Sequence, residues 1–186
     1  RSPRYRMARG IATIPEDRIA EGLVADFTVE ENLVLGFHRT RPYSRKLFWN
    51  GSAIESFAKE SIRTFGIATP SPRQVTRVLS GGNLQKVILA RELSRSPTCL
   101  IASQPTRGLD VGATEYVRGR LLEQRKRGAA IVLISEDLEE IFNLSDRIAV
   151  LSKGQIAGML DANDASLETV GRLMAGMEGA AVQESS

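Results

Sequence analysis

Apolar residues change their spacing partway along this chain, and the change divides it. Ile11-Ala12-Thr13-Ile14 reads as a short strand that Pro15 stops, followed by a charged loop from Glu16 to Glu21. Thr28-Val29-Glu30-Glu31 has the form of a helix start, with Thr28 as cap and Glu31 completing a capping box. Ile54, Phe57, Ala58, Ile62 and Phe65 recur at helical spacing and predict an amphipathic helix over 52–65. Between these helices, 39–51 reads as an irregular loop holding Pro42, Tyr43 and Trp49. Leu84, Val87, Ile88 and Leu93 predict a third helix over 83–95 with one apolar face, ended by Pro97.

From Thr98 the pattern alternates between short apolar runs and helical periods. Leu100-Ile101-Ala102 and 130–134 predict buried strands. Between them lies a helix over 112–127, with Arg125-Lys126-Arg127 in its last turn and Gly128 as its stop. A short helix over 136–143, a hairpin of 147–151 with 155–160, and a last helix over 166–176 follow. Strands alternating with helices imply an α/β sheet, and the helical stretch 28–95 reads as an insertion beside it. The expected division is a core strand and loop (1–27), a helical subdomain (28–95), a core segment (96–177) and a disordered tail (178–186).

Composition narrows the function classes. With 186 residues, 42% hydrophobic and 25% charged, the chain suits one globular domain. A net charge of +3 from 25 basic and 22 acidic residues is no nucleic-acid footprint. The one basic cluster, Arg1 to Arg9, reads as a solvated terminus. The single cysteine, Cys99, excludes a disulfide framework, fits a reducing compartment and reads as a small buried hydrophobe. No apolar run approaches the ~20 residues of a membrane span, and no signal-peptide core is present. His38, the sole histidine, lies in a polar stretch, and no Cys/His/Asp cluster has zinc spacing. Trp49 and Tyr43 could anchor a partner helix, but packing within the insertion is the simpler role.

One loop carries chemistry. Ser80-Gly81-Gly82 stands directly before the 83–95 helix. Two glycines let backbone approach an anion, a helix start offers N–H groups and a positive dipole end, and Ser80 adds a hydroxyl. By itself the tripeptide reads as a Gly-Gly turn and cap. In context, Leu79-Ser80-Gly81-Gly82-Asn83-Leu84-Gln85-Lys86, then Ala90-Arg91-Glu92-Leu93, resembles the signature of ATP-binding-cassette (ABC) ATPases. Pro105-Thr106-Arg107-Gly108-Leu109-Asp110 resembles the segment joining that family's Walker B strand to its D-loop. Ser145-Asp146-Arg147-Ile148 with Lys153-Gly154-Gln155-Ile156 resembles its closing strands. Ile14-Pro15-Glu16-Asp17-Arg18, Gly22-Leu23-Val24, Glu31-Asn32-Leu33 and 104–113 look like the second ATP-binding domain of fused tandem ATPases of bacterial simple-sugar and nucleoside importers. Ala102-Ser103-Gln104-Pro105 leans towards the nucleoside branch.

The resemblance also defines departures. No G-x-x-x-x-G-K-[ST] phosphate loop occurs in the sequence, so the chain is expected to be a partial ABC-type P-loop core: a mixed sheet with flanking helices and a helical insertion, lacking Walker A. The absent strand is expected between 98–103 and 130–134, leaving a gap or edge. Where the family carries a magnesium-holding aspartate stands Ser103. Where it carries the water-polarising glutamate stands Gln104, where it carries the switch histidine stands Glu136, and the loop glutamine aligns with Glu16. Ser103 lacks the charge for a hard cation. Gln104 cannot accept a proton, a loss of ~10²–10⁴ in rate. An anion such as Glu136 about 4 Å from a phosphate costs about 4 kcal/mol at an effective dielectric near 20.

The resemblance thus implies a one-sided role. Ser80, Gly81, Gly82, Asn83 and Gln85 would serve an ATP held by the first ATPase domain of the same or another chain, and Asp110 would lie at the domain interface. Residues 28–95 would meet a transmembrane permease, with 16–27 as hinge, and a periplasmic or lipoprotein solute-binding protein would act indirectly. ATP and Mg²⁺ belong to the full assembly, with none expected on this chain alone, no resident metal site and no nucleic-acid partner. The implied location is cytoplasmic, peripheral on the inner face of the bacterial membrane. A non-catalytic regulatory module and a soluble non-transport ABC protein are the alternatives.

Overall fold

The computed structural model describes residues 2–45 and 48–176, and the chain divides into two units, 1–134 and 135–186. The expected disordered tail lies outside the described residues.

The first unit is built on a parallel sheet of β1 (Ile11–Ile14), β4 (Cys99–Ser103) and β5 (Ala130–Ile134), in the order β1-β4-β5. Ile11 pairs with Cys99 and Ile14 with Ala102, while Cys99 pairs with Ala130 and Ser103 with Ile134. The direct β4–β5 ladder corrects the expectation of a missing strand between them: no gap exists there, and β5 ends the sheet. The sheet is parallel throughout, and the antiparallel pairing expected of a mixed sheet sits in separate hairpins. β5 is also less buried than predicted. Val132 is 51% and Ile134 50% exposed, whereas Leu100 and Ala102 of the central strand are fully buried. Val132 and Ile134 are in register with the half-buried Ile101 and Ser103 and share their less covered face of the sheet, whereas Leu100 and Ala102 lie on the opposite face.

Against β1 lies α4 (Gly81–Leu93). The sequence predicts one apolar face, yet Leu84, Val87, Ile88, Leu89, Ala90 and Leu93 are all buried, with Gln85, Arg91 and Glu92. The helix is enclosed because α2 (Val29–Val34) and α3 (Gly51–Phe65) pack on one side and β1 with α5 (Val111–Lys126) on others. Enclosure puts two charges inside, and they pair: Arg91 Nε donates to Glu92 at 2.8 Å. Residues 28–95 therefore share a core with the sheet, and the division of the chain falls after Ile134.

The expected capping box and the expected stop at Gly128 form, beside caps not expected from the sequence. Thr28 and Glu31 form the complete capping box, Asn50 caps α3, and Gly66 closes it in the left-handed conformation. Asp110 caps α5, and Gly128 follows its end at φ 89°. Three short features escaped the periodicity. α1 (Pro3–Ala8), capped by Ser2, buries nothing, so it leaves no apolar stripe. Within the charged loop, Asp17 caps a π-helical turn, Arg18–Gly22. Within the irregular loop, β2 (Ser44–Arg45) and β3 (Phe48–Trp49) form a minimal antiparallel hairpin. Tyr43 packs inward against Phe37 and Phe57, at ring separations of 5.5 and 5.3 Å.

The second unit holds α6 (Leu138–Leu144), the expected hairpin of β6 (Arg147–Ser152) and β7 (Gln155–Asp161), and α7 (Leu167–Met174). Its core is Ile148, Val150, Val170 and Leu173, with Ile141 and Phe142 packed against it. Lys153 and Gly154, both at positive φ, make the two-residue turn. Cys99 is half-buried and free. Among the described residues no helix is long and apolar enough to cross a membrane.

Candidate functional site

The site begins with a cap that does not cap. Ser80 precedes α4 in extended conformation (φ −64°, ψ 157°), but its side chain caps no backbone amide of the first helical turn. Its Oγ instead accepts from Asn83 Nδ2 at 2.9 Å. The Asn83 Oδ1 accepts from the Ala68 amide at 2.8 Å. Asn83 thus ties the signature loop to the end of the α3 connection and holds the Ser80 hydroxyl in place. Ser80 and Gly81 are exposed, at the positive end of a 13-residue helix. That donor set, backbone amides beside a hydroxyl with no Cβ over them, fits an anion such as a phosphate.

Gly82 faces α5. A Cβ on residue 82 would stand 3.2 Å from that of Ala113 and 4.0 Å from Asp110 Oδ2. Close approach of two helix starts therefore demands a small residue here. The other Asp110 oxygen accepts from the Ala113 amide at 2.8 Å, so this carboxylate is the N-cap of α5 as well as a neighbour of the signature loop.

Gln85 corrects an expectation. It is 2% exposed, and its Nε2 donates to the Pro105 carbonyl at 2.8 Å. The amide fastens α4 to the turn after β4 and is not presented at the surface; the helical period turns it inward while Ser80 and Gly81 stay out. Pro105 in turn follows Gln104, whose φ of 47° is rare for a residue with a side chain. The Gln104 amide donates to Ile134 at 2.7 Å, and its carbonyl accepts from Arg107 at 3.1 Å. Ser103 sits half-buried at the end of β4, in register with Ile134.

Arg18 was not anticipated as a site residue. Its guanidinium donates to the Gly81 carbonyl at 3.4 Å and also to the Arg107 carbonyl, joining segments 63 and 89 residues away. Burial pulls its pKa below the ordinary arginine value, against the neighbouring Asp17 charge, and it remains a cation. Asp17 accepts the Ala20 and Ile19 amides, which hold its carboxyl below the usual range. Glu16 pairs with Arg107 across the same depression, of about 440 Å³, whose wall includes Ile19, Gly81 and Gly108. The expected extra anion at Glu16 is thus matched by a cation, although both partners are more than half-exposed or nearly so and the pair contributes under about 1 kcal/mol.

A second residue overlooked as a structural tie is Asn32, fully buried. Its side chain accepts from the Val24 amide at 2.9 Å and donates to Thr76 Oγ1 at 2.8 Å. Gly22 presses on α4, where a Cβ would stand 2.6 Å from Ile88 Cδ1. The 16–27 segment expected to act as a hinge is therefore clamped at its far end. Glu136 lies exposed in the second unit, one residue ahead of Asp137, which caps α6. Among the described residues no group of three or more His, Cys, Asp or Glu could hold a metal ion.

The α/β fold, with its parallel sheet and flanking helices, is that of an ATP-binding cassette. The chain superposes on the dimeric post-hydrolysis structure of the ATP-binding cassette MJ0796 bound to ADP and phosphate with a TM-score of 0.67 and 23% identity, over 82% of this chain and 62% of that one. A nucleotide-free cassette from an ABC transporter gives 0.69 and 20%, over 94% and 68%. In sequence, the chain is 45% identical over 175 residues to the guanosine import ATP-binding protein NupO of Bacillus subtilis, and 43% over 174 to the nucleoside import ATP-binding protein NupA of Lactococcus lactis. It is 37% identical over 175 residues to the ribose import ATP-binding protein RbsA of Lactococcus lactis. These matches cover 94% of this chain but only 34–35% of each relative, so the chain spans about a third of their length. No family model matches.

Proposed function

We propose that this chain is an ATP-binding part of a sugar- or nucleoside-type ABC importer that presents its signature loop to a nucleotide held by a partner ATPase domain. The observation that carries this reading is the N-terminus of α4: Ser80 is exposed, held by Asn83 and not spent on capping the helix. Ser80, Gly81 and Gly82 supply hydroxyl and amide donors at a positive helix end, and Asn83 orients them. ATP with Mg²⁺ supplies the phosphate charge they meet. Asp110, with Val111 beside it at 81% exposure, forms the interface to the partner domain.

The chain's own hydrolytic positions are degenerate under this reading. Ser103 has no charge for a metal ion, Gln104 accepts no proton, Glu136 replaces a cation-capable ring with an anion, and Glu16 replaces a neutral amide. Such a domain is the second, C-terminal half of a tandem whose first half hydrolyses ATP; residues 28–95 meet the permease on the inner membrane face, and a solute-binding protein delivers the substrate.

Two measurements test this. In the assembled transporter, Ser80→Arg abolishes ATP hydrolysis while Gln104→Ala leaves it nearly unchanged; equal losses overturn the one-sided arrangement. Calorimetric titration of the chain alone with ATP gives no micromolar binding, and such binding would mean that the chain holds nucleotide by itself.

A further inference from the structure

A cleft of about 310 Å³ opens where α3 and the C-terminal end of α4 meet α5. Phe57, Phe65 and Leu93 give it an apolar wall. Two polar residues stand among them, Ser61 on α3 and Gln124 on α5, each only 3% exposed. Among the described residues neither the Ser61 hydroxyl nor the Gln124 carboxamide has a hydrogen-bond partner. The other buried amides do: Asn32 donates to Thr76 and Gln85 to the Pro105 carbonyl, each at 2.8 Å. A buried carboxamide without a partner costs free energy, and pairing it recovers that cost.

The charges lining the cleft are spent except one. Glu60 pairs with Arg63 at 2.7 Å and Glu123 with Arg120 at 2.9 Å. Arg120 also donates to the Thr64 carbonyl and the Tyr116 hydroxyl, at 2.8 and 3.0 Å, and lies over both the Phe65 and Tyr116 rings. Arg127, at the C-cap of α5, is exposed, and its guanidinium has no partner among the described residues.

We propose that this cleft binds a small carboxylate with an apolar body and an amide, such as an N-acylated amino acid. The apolar body covers Phe57, Phe65 and Leu93. The ligand amide pairs with the Gln124 carboxamide, which both donates and accepts, and with the Ser61 hydroxyl. The carboxylate meets Arg127, the cation left over. Gln124 and Arg127 belong to α5, outside 28–95, and the cleft lies at the opposite end of α4 from the signature loop. The proposal rests on no assumption about a nucleotide or a permease.

N-acetyl-leucine is the probe. Titrated into the full chain, it shifts the NMR amide signals of 57–65 and 120–127 with a dissociation constant of about 1 mM, the strength expected of so small a ligand. N-acetyl-leucinamide, which lacks the charge, binds about fivefold more weakly, and Arg127→Gln removes that difference. Gln124→Leu keeps the volume and loses about tenfold in affinity. Arg127 is exposed, so its variant folds and reads the site even where Gln124→Leu disturbs the packing. No shift in these helices at concentrations well above that constant overturns the proposal and leaves the cleft to water. Equal binding of the acid and the amide overturns it too, as does parental affinity in either variant.

Discussion

Asn83 donates its side-chain amide to the Ser80 hydroxyl at 2.9 Å while accepting the Ala68 amide at 2.8 Å. One residue in the first turn of α4 thereby sets the exposed hydroxyl ahead of that helix. Asn83→Ala removes both bonds. The expected loss is about 1–2 kcal/mol of stability, a fall in melting temperature of a few degrees by calorimetry. Under the proposed function, the nucleotide-dependent activity of the full assembly falls further than the stability loss alone explains, because Ser80 is left unheld. A variant as active as the parent would show that the hydroxyl needs no such support.

Arg18 ties the Gly81 and Arg107 carbonyls together with a planar fork. Lysine keeps the charge but has no fork. Arg18→Lys and Arg18→Ala are therefore expected to destabilise the first unit by similar amounts, on the order of 1 kcal/mol in denaturant melts. Full rescue by lysine would mean that charge, not geometry, is what the position uses.

The pH dependence of stability has a defined direction at Asp17. Hydrogen bonds from the Ala20 and Ile19 amides lower its pKa from the ordinary 3.8. A carboxyl whose folded pKa lies below its unfolded one stabilises the fold above the unfolded value and loses that effect as pH falls through the folded one. The stability gap between the parent and Asp17→Asn should be constant near neutrality and close in acid, below 3.8. Urea melts across that range measure it, and a gap that widens in acid would contradict the assignment.

β5 is the last strand of its sheet, and its Val132 and Ile134, each about half-exposed, lie together on one face of it. Apolar residues on the last strand of a sheet invite pairing with another copy. Sedimentation should show concentration-dependent association of the chain, and Val132→Lys should reduce it. A strictly monomeric parent at high concentration would show that this edge is protected.

The sequence by itself determined the elements that rest on local chemistry. The capping box of Thr28 and Glu31 forms, and Gly128 follows α5 as its stop. The Lys153-Gly154 turn needs only two residues with positive φ, and the signature loop stands before its helix as its spacing implied. What failed were statements about surroundings. The single apolar face predicted for α4 and the burial predicted for β5 both depend on neighbours distant in sequence, and those neighbours enclosed the one and left a face of the other less covered. The same reason separates the site residues: Ser80 and Gly81 are exposed and Gln85 is not, because one and a half turns of helix carry position 85 against Pro105. Only the tertiary structure could bring Arg18 to Gly81 and Arg107. A long flexible side chain writes no period into the sequence, and its partners are backbone carbonyls, which every residue possesses.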